Sequence, residues 1–544
     1  MVHFQSFQPG ATATNQRPAL YAQPDPSSFN LQDISRPIPS AHYALLAVAV
    51  LACFFIGIGG FPLFDLDEGA FSEATREMLA SGNYLSTYLN GEPRYDKPIL
   101  IYWLQAASVH LFGISEFAFR LPSALAGSAW VILTYLFVRR VANDRQALAA
   151  GIITASALAV SVIVKVATAD ALLNLLISAT LFSAYLFLRL RERNYLYFAF
   201  AAMGLGFLTK GPVAVIIPGL VTFLYSALRR DLKGWLALAL DWRGIALFFA
   251  LAAPWYVVQY LVEGDGFFRG FFLKHNVDRF SAPMESHSGN FFYYVPVLLL
   301  SVLPYTTMLF KLLAQGPRIV KDDLQLFLLL WFATVFVIFS FSGTKLPHYL
   351  IYGYSGVFIL MAIYLDELRS RLLAFLPLLL LLAALLFLPQ LIEAAIPHIH
   401  KPYYQEMLAA TRQSLSRWYY PFFIGFVLLT LYFMVEKRFA LGAKLLASGV
   451  ILAAGFSLLL LPLFGGLQQG PIKEAALLAR DRGYTVVMWG LNMPSFSVYS
   501  QRIVEKRDPR RGDIVITQTS RLGELRAYET LYSKNGIALI RVTE

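Results

Sequence analysis

Long apolar runs, broken by short polar clusters, are the dominant pattern of this chain. Runs such as Leu376–Leu388 and Phe422–Val435, with their flanks, approach the roughly 20 residues an α-helix needs to cross a bilayer. Repeating that criterion predicts spans near 42–63, 118–138, 146–166, 170–188, 195–209, 211–228, 244–262, 291–312, 324–342, 347–365, 372–391, 418–436 and 443–465. The expected fold is therefore an all-α polytopic membrane bundle of about 13 transmembrane helices. Two further stretches, Phe71–Leu79 and Ile99–Phe112, carry apolar residues at helical spacing with polar residues between them. They read as helices lying in the membrane interface.

After residue 466 the period changes. Ile472–Arg482 reads as an amphipathic helix, while Thr485–Trp489, Asp513–Thr517 and Ile537–Val542 read as strands. Lys534-Asn535-Gly536 is a hairpin signal. The chain thus divides into a disordered arm over 1–40, a transmembrane unit over 41–466 with a long loop at 64–117, and a small soluble α/β domain over 467–544.

Composition strengthens the membrane reading. Hydrophobic residues make up 57% of the 544 residues and charged residues 15%, too little polar surface for a soluble domain of this size. The net charge of +11 does not indicate nucleic acid, because the basic residues sit in short clusters between apolar runs. Those clusters (Arg139-Arg140, Arg189 to Arg193, Arg229 to Lys233, Lys311 to Lys321, Arg369 with Arg371, and Lys437 to Lys444) each follow an even-numbered span. The positive-inside rule places them and the N-terminus in the cytoplasm, and the C-terminal domain outside. The long connections then fall on the external side, where chemistry is to be sought. The single cysteine, Cys53, lies inside the first apolar run and reads as a packing residue.

Candidate chemistry clusters at that external side. Phe64-Asp65-Leu66-Asp67-Glu68 puts three carboxylates at a membrane exit, and Arg94-Tyr95-Asp96-Lys97 follows in the same loop. Asp170 stands at a tight turn between two spans, a costly position for a carboxylate unless it is paired or solvated. Lys345 and His348 occupy another such turn. Lys97, Lys345, Lys210 and Arg279 are cations suited to a phosphate, and Tyr349, Tyr293 and Tyr95 are candidate cavity residues with Glu68 and Asp65. His398-x-His400 is a weaker metal signal.

The wording FDLDEGAFSEATREML followed by YDKPILIYWLQ resembles the GT-C superfamily of lipid-carrier-dependent glycosyltransferases. It is similar to the branch holding the bacterial lipid A aminoarabinose transferases and the related protein O-mannosyltransferases. TADALL at 168–173, LTKGPVA at 208–214, APWY at 253–256, GNFFYYVPVLLL at 289–300 and SGTKLPHYLIYGYS at 342–355 extend the resemblance. It implies that Asp67 and Asp170 are the catalytic carboxylates and that Asp96-Lys97 stands beside the carrier phosphate. It also implies a divalent metal, Zn²⁺ or Mg²⁺, at Asp96 and His287. Here Ser288-Gly289-Asn290 replaces the family's usual Gly-Pro-Phe. The implied function is transfer of 4-amino-4-deoxy-L-arabinose from undecaprenyl phosphate to lipid A at the periplasmic face of a bacterial inner membrane, with resistance to cationic antimicrobial peptides as its consequence. A mannosyltransferase using polyprenyl-phosphate mannose and a lipid-linked-sugar flippase are the competing readings. The flippase fits less well, because the charges gather at one face and no paired repeats of broken helices are visible. The expected partners are the carrier-linked sugar, lipid A and membrane lipids, with no nucleic acid, and the expected state is a monomer.

Overall fold

The computed structural model describes residues 37–278 and 289–544. It is mainly helical, as the apolar periodicity predicts. The first helices, in chain order, are α1 (Ser40–Val50), α2 (Asp67–Ser81), α3 (Leu100–Phe112), α4 (Glu116–Val141), α5 (Asp144–Ser156), α6 (Leu158–Ile163), α7 (Asp170–Leu190), α8 (Arg193–Lys210), α9 (Val213–Leu228), α10 (Leu232–Ala239) and α11 (Trp242–Glu263). Six helices among the described residues are long and apolar enough to cross a membrane. The number rises to eight if two bent pairs each count as one span. One pair, Phe291–Ser301 with Thr306–Ala314, turns through 116° around Leu303-Pro304, where proline withdraws a backbone donor. Further expected spans fall on shorter apolar helices, Ser40–Phe55, Val213–Leu228 and Tyr419–Val435.

Helix α7 is the axis of the bundle. Its apolar window is 94% buried, against 22% for α11 at the periphery. Helix α7 carries Ala171, Ser178, Ala179, Ser183 and Ala184 among its buried residues, small side chains that let neighbours approach closely. Its first residue, Asp170, marks one end of the bundle. Its last turn marks the other, where Arg189 and Arg229 both reach Asp323 at 2.6 Å. Lys311 meets Glu367 (2.9 Å) and Arg145 meets Asp366 (2.8 Å), so part of the basic residues expected on one side form ion pairs there.

The loop after α1 contains the two helices the sequence predicts, α2 and α3, and between them a short hairpin that it does not, β1 (Tyr88–Leu89) and β2 (Glu92–Pro93). Its tip, Asn90-Gly91, has positive φ at both residues, which glycine and asparagine tolerate. Glu77 of α2 accepts from both tip amides (2.5 and 3.0 Å) and so fixes the hairpin to the helix.

The C-terminal part forms a five-stranded sheet of order β4-β3-β5-β7-β6, with β3 (Val486–Met488), β4 (Glu505–Lys506), β5 (Ile514–Gln518), β6 (Tyr528–Lys534) and β7 (Ile537–Val542). The three apolar strands match the sequence reading. The polar strand β6 and the two-residue β4 were not in it. The core beneath this sheet is continuous with Leu63, Phe119 and Ala167 of the helical part. The Pro494–Ser500 helix plugs onto the first loop: the Tyr499 hydroxyl accepts from the Leu63 amide (2.7 Å) and donates to Glu116 (3.0 Å), and the Ser497 hydroxyl donates to Asn90 (2.7 Å).

Candidate active site

The carboxylates of the Phe64–Glu68 segment have three different surroundings. Asp67 is the first residue of α2, a favourable place for an anion near the helix N-terminus. Its side chain is exposed, and no hydrogen bond or ion pair among the described residues engages it. Glu68, one residue on, is 1% exposed and does not face the cavity expected of it. Both of its oxygens accept from Arg120, at 2.7 and 3.0 Å. They also accept from the Phe64 amide (2.8 Å) and the Ala167 amide (2.9 Å). Arg120 uses its remaining donors on the carbonyls of Ile58 and Phe61 (2.8 Å each) and Pro62 (2.9 Å). All five guanidinium donors are thereby matched, which is what a buried arginine requires.

Asp65 faces the C-terminal sheet. It accepts from the amide of Ser495 (2.9 Å) and from its hydroxyl, so it caps the Pro494–Ser500 helix. Burial pushes its carboxyl up to about 7, with the Ser495 hydrogen bonds opposing the rise.

The second acid is locked. Asp170 is 4% exposed. It accepts from Lys210 at the end of α8 (2.6 Å), from the Tyr352 hydroxyl (2.6 Å) and from Thr168 (3.1 Å). Lys210 also donates to the Tyr352 hydroxyl (2.7 Å), and the His348 Nε2 stands 4.0 Å from Asp170. The turn carrying Asp170 is pinned to the first loop. Gln105 of α3 accepts from Thr75 of α2 (2.8 Å) and donates to the Ala167 carbonyl (3.0 Å), while Ser123 of α4 donates to the Thr168 carbonyl (3.1 Å). Asp67 and Asp170 are therefore carried by one hydrogen-bonded body.

The loop cations divide in the same way. Asp96 is bound by Lys97 (2.7 Å) and Arg94 (3.0 Å). Arg94 stands over the Phe71 ring at 5.2 Å, and its Nε and Nη1 are buried without a hydrogen-bond partner. The buried Tyr102 hydroxyl is likewise unpartnered. The field of Asp67 reaches both side chains. Lys345 is turned inward instead, donating to the carbonyls of Ser340 (2.6 Å) and Ser342 (3.0 Å) at a helix C-terminus. Tyr95 donates to Glu263 (3.0 Å) and so ties the loop to α11. Tyr349 packs on Phe339 (4.8 Å), and Tyr293 packs edge-on against Tyr294 (5.0 Å). Arg279 and His287 lie outside the described residues. Among the described residues, no group of three or more His, Cys, Asp or Glu could hold a metal ion.

Sequence reasoning missed Arg120, Arg94, Tyr102 and Tyr352. Arg120 had a signal, since a lone arginine opening an apolar run demands a buried anion. Arg94 stood in the quoted Arg-Tyr-Asp-Lys cluster, but its unmatched donors are visible only in three dimensions.

The fold is similar to that of ArnT from Cupriavidus metallidurans, solved bound to undecaprenyl phosphate. That likeness has a TM-score of 0.78 at 20% identity and covers 92% of this chain and 98% of that one. The family model described as dolichyl-phosphate-mannose-protein mannosyltransferase matches residues 96–257. An uncharacterized protein of Aquifex aeolicus is 30% identical over 323 residues, which cover 59% of this chain and 73% of that protein. The chain belongs to the same family as this Aquifex aeolicus protein. A further relative is the undecaprenyl phosphate-alpha-4-amino-4-deoxy-L-arabinose arabinosyl transferase of Aeromonas salmonicida, 33% identical over 309 residues. That match covers 55% of this chain and 56% of the relative, so the chain spans less than two thirds of the transferase's length.

Proposed function

We propose that this protein transfers 4-amino-4-deoxy-L-arabinose from undecaprenyl phosphate to a phosphate of lipid A. The observation that carries the reading is the exposed Asp67, which no hydrogen bond or ion pair among the described residues engages, in the field of a half-buried Arg94 with two nitrogens unmatched among those residues. The named arabinosyl transferase relatives and the ArnT-like fold support it. In this reading an oxygen of the acceptor phosphate attacks the anomeric carbon of the sugar. The bond from that carbon to the carrier phosphate breaks, and its electron pair leaves on undecaprenyl phosphate. The acceptor is already anionic, so a strong base is not needed. Asp67 stabilises the oxocarbenium-like charge that develops on the sugar. Arg94 and Lys97 receive the leaving phosphate, and Arg94 brings two nitrogens that no group among the described residues engages. Asp170 holds Lys210 and Tyr352 in position beneath the reacting groups.

The same reading places about thirteen spans in a bacterial inner membrane, with the N-terminus cytoplasmic and residues 467–544 in the periplasm. The protein acts as a monomer. A divalent cation bound through Asp96 and His287 belongs to this proposal and is tested by a chelator. The test is transfer by purified protein from defined donor lipids, with and without chelator. The expected products are modified lipid A and free carrier phosphate. A second reading rests on the family match over 96–257 and predicts transfer of mannose from a polyprenyl phosphate to a protein hydroxyl. There Asp67 acts as the base, and only mannosyl donors give product.

A further inference from the structure

At the end of the bundle away from Asp67, helices α7 to α11 enclose an apolar crevice of about 250 Å³. Small side chains create it. Ala184 of α7, Ala199 of α8 and Gly219 of α9 leave space that larger residues would fill. A Cβ placed on Gly219 meets no atom within 4 Å. Trp235 and Leu238 of the short helix α10 line it as well, and Phe249 of α11 does so while itself 56% exposed. Gly219 is exposed too, so the crevice opens onto the lipid-facing surface between α9 and α11.

Water is a poor occupant. The Thr180 hydroxyl donates to the Leu176 carbonyl (2.8 Å). The Thr222 hydroxyl donates to the Pro218 carbonyl (2.7 Å) and accepts from the Trp235 indole (3.3 Å). These groups are already satisfied, and an apolar cavity without hydrogen-bond partners stays dry. At membrane depth such a space fills with hydrocarbon.

The rim names the kind of hydrocarbon. Helix α10 has Leu232 and Leu236 exposed on one side, Leu240 follows exposed at its C-cap, and Trp242 is 70% exposed. That is the pattern of a helix lying in an interface. Arg193, Lys233 and Arg243 are exposed around it, with Arg243 over the Trp242 ring at 5.3 Å. Of the nearby acids, Asp231 pairs with Arg191 and caps α10, Asp241 caps α11, and Glu192 stands exposed next to Arg193, three acids against the four bases Arg191, Arg193, Lys233 and Arg243. The rim keeps a positive excess.

We infer that this crevice binds one acyl chain of an anionic phospholipid, whose headgroup sits on Arg193, Lys233 and Arg243 at the face opposite the proposed active site. The inference is independent of which sugar the protein transfers. It is tested with full-length protein extracted in mild detergent from bilayers of phosphatidylglycerol or of phosphatidylcholine with the same chains. Native mass spectrometry then counts retained lipid. One phosphatidylglycerol per chain is expected, favoured over phosphatidylcholine by at least about tenfold. Gly219→Phe fills the crevice and abolishes retention of either lipid, whereas Gly219→Ala keeps it. Lys233→Ala combined with Arg243→Ala brings the two lipids to similar retention. A phosphatidylglycerol carrying a photoreactive group near its chain end gives a readout that needs no variant, with adducts expected on Ala199–Met203 and on Trp235. Equal retention of both lipids by the wild type, or adducts confined to other helices, overturns the inference. So does retention of a polyisoprenoid phosphate in place of the phospholipid.

Discussion

Asp67 and Glu68 are neighbours in sequence and opposites in the fold. Asp67 stands exposed on the rim at the start of α2, and its field reaches Arg94, two of whose nitrogens have no partner among the described residues. Glu68 belongs to a locked layer beneath, saturated by Arg120 and two backbone amides. Asp170 belongs to the same layer through Lys210 and Tyr352. Both regions are charged, yet only the rim has capacity left for a ligand. On the proposed function, the difference would separate the group that reacts from the groups that hold it in place.

The comparison can be broken most severely at the layer. Arg120→Ala leaves the Glu68 carboxylate buried without its countercharge and frees three backbone carbonyls. Breaking such a pair costs on the order of 3–5 kcal/mol, so a large loss of thermal stability is expected, with activity lost alongside. A denaturation midpoint equal to wild type contradicts the locked layer. At the rim, Asp67→Asn lowers transfer by about 10²–10⁴-fold while the melting profile stays unchanged. Asp170→Asn sharpens the contrast. As a positioning residue it lowers transfer by roughly 10-fold and lowers the midpoint too, because it loosens charge-assisted bonds to Lys210 and Tyr352. A loss as deep as that of Asp67→Asn, with stability intact, assigns it to the chemistry instead.

The smallest expected effect is at Asp65. Its carboxyl titrates at about 7 in the fold against an ordinary 3.8. Between those values the folded protein keeps a proton that the unfolded chain has lost. Stability therefore falls as pH rises from about 4 to about 7 and is level above that. Asp65→Asn removes this slope, so the midpoint of the variant no longer drifts down across the window. A wild-type profile that rises over the same range contradicts the buried capping role.

The sequence made the helical class legible because apolar run length alone decides it. It also located α2, α3 and the three apolar strands β3, β5 and β7, where the hydrophobic period is clean. Strand β6, Tyr-Glu-Thr-Leu-Tyr-Ser-Lys, lies at the sheet edge with most residues exposed or half-buried, so no alternation announces it. At the site, the acids were legible as acids, but their division of labour was not. The sequence presents Lys97, Lys345 and Lys210 as equivalent cations, whereas in the fold Lys345 bonds two backbone carbonyls, Lys210 bonds Asp170 and Lys97 bonds Asp96. Spacing along the chain cannot tell a cation that waits for a ligand from one that has a partner folded onto it.

The central claim is that Asp67, on the open rim, carries a sugar transfer from a lipid phosphate. The most direct measurement is transfer from undecaprenyl-phosphate aminoarabinose to lipid A by purified wild type and Asp67→Asn, with both lipid products followed by mass spectrometry. The account predicts modified lipid A and stoichiometric free undecaprenyl phosphate from the wild type, and neither from the folded variant above about 1% of that rate. Product at the wild-type rate from Asp67→Asn contradicts it.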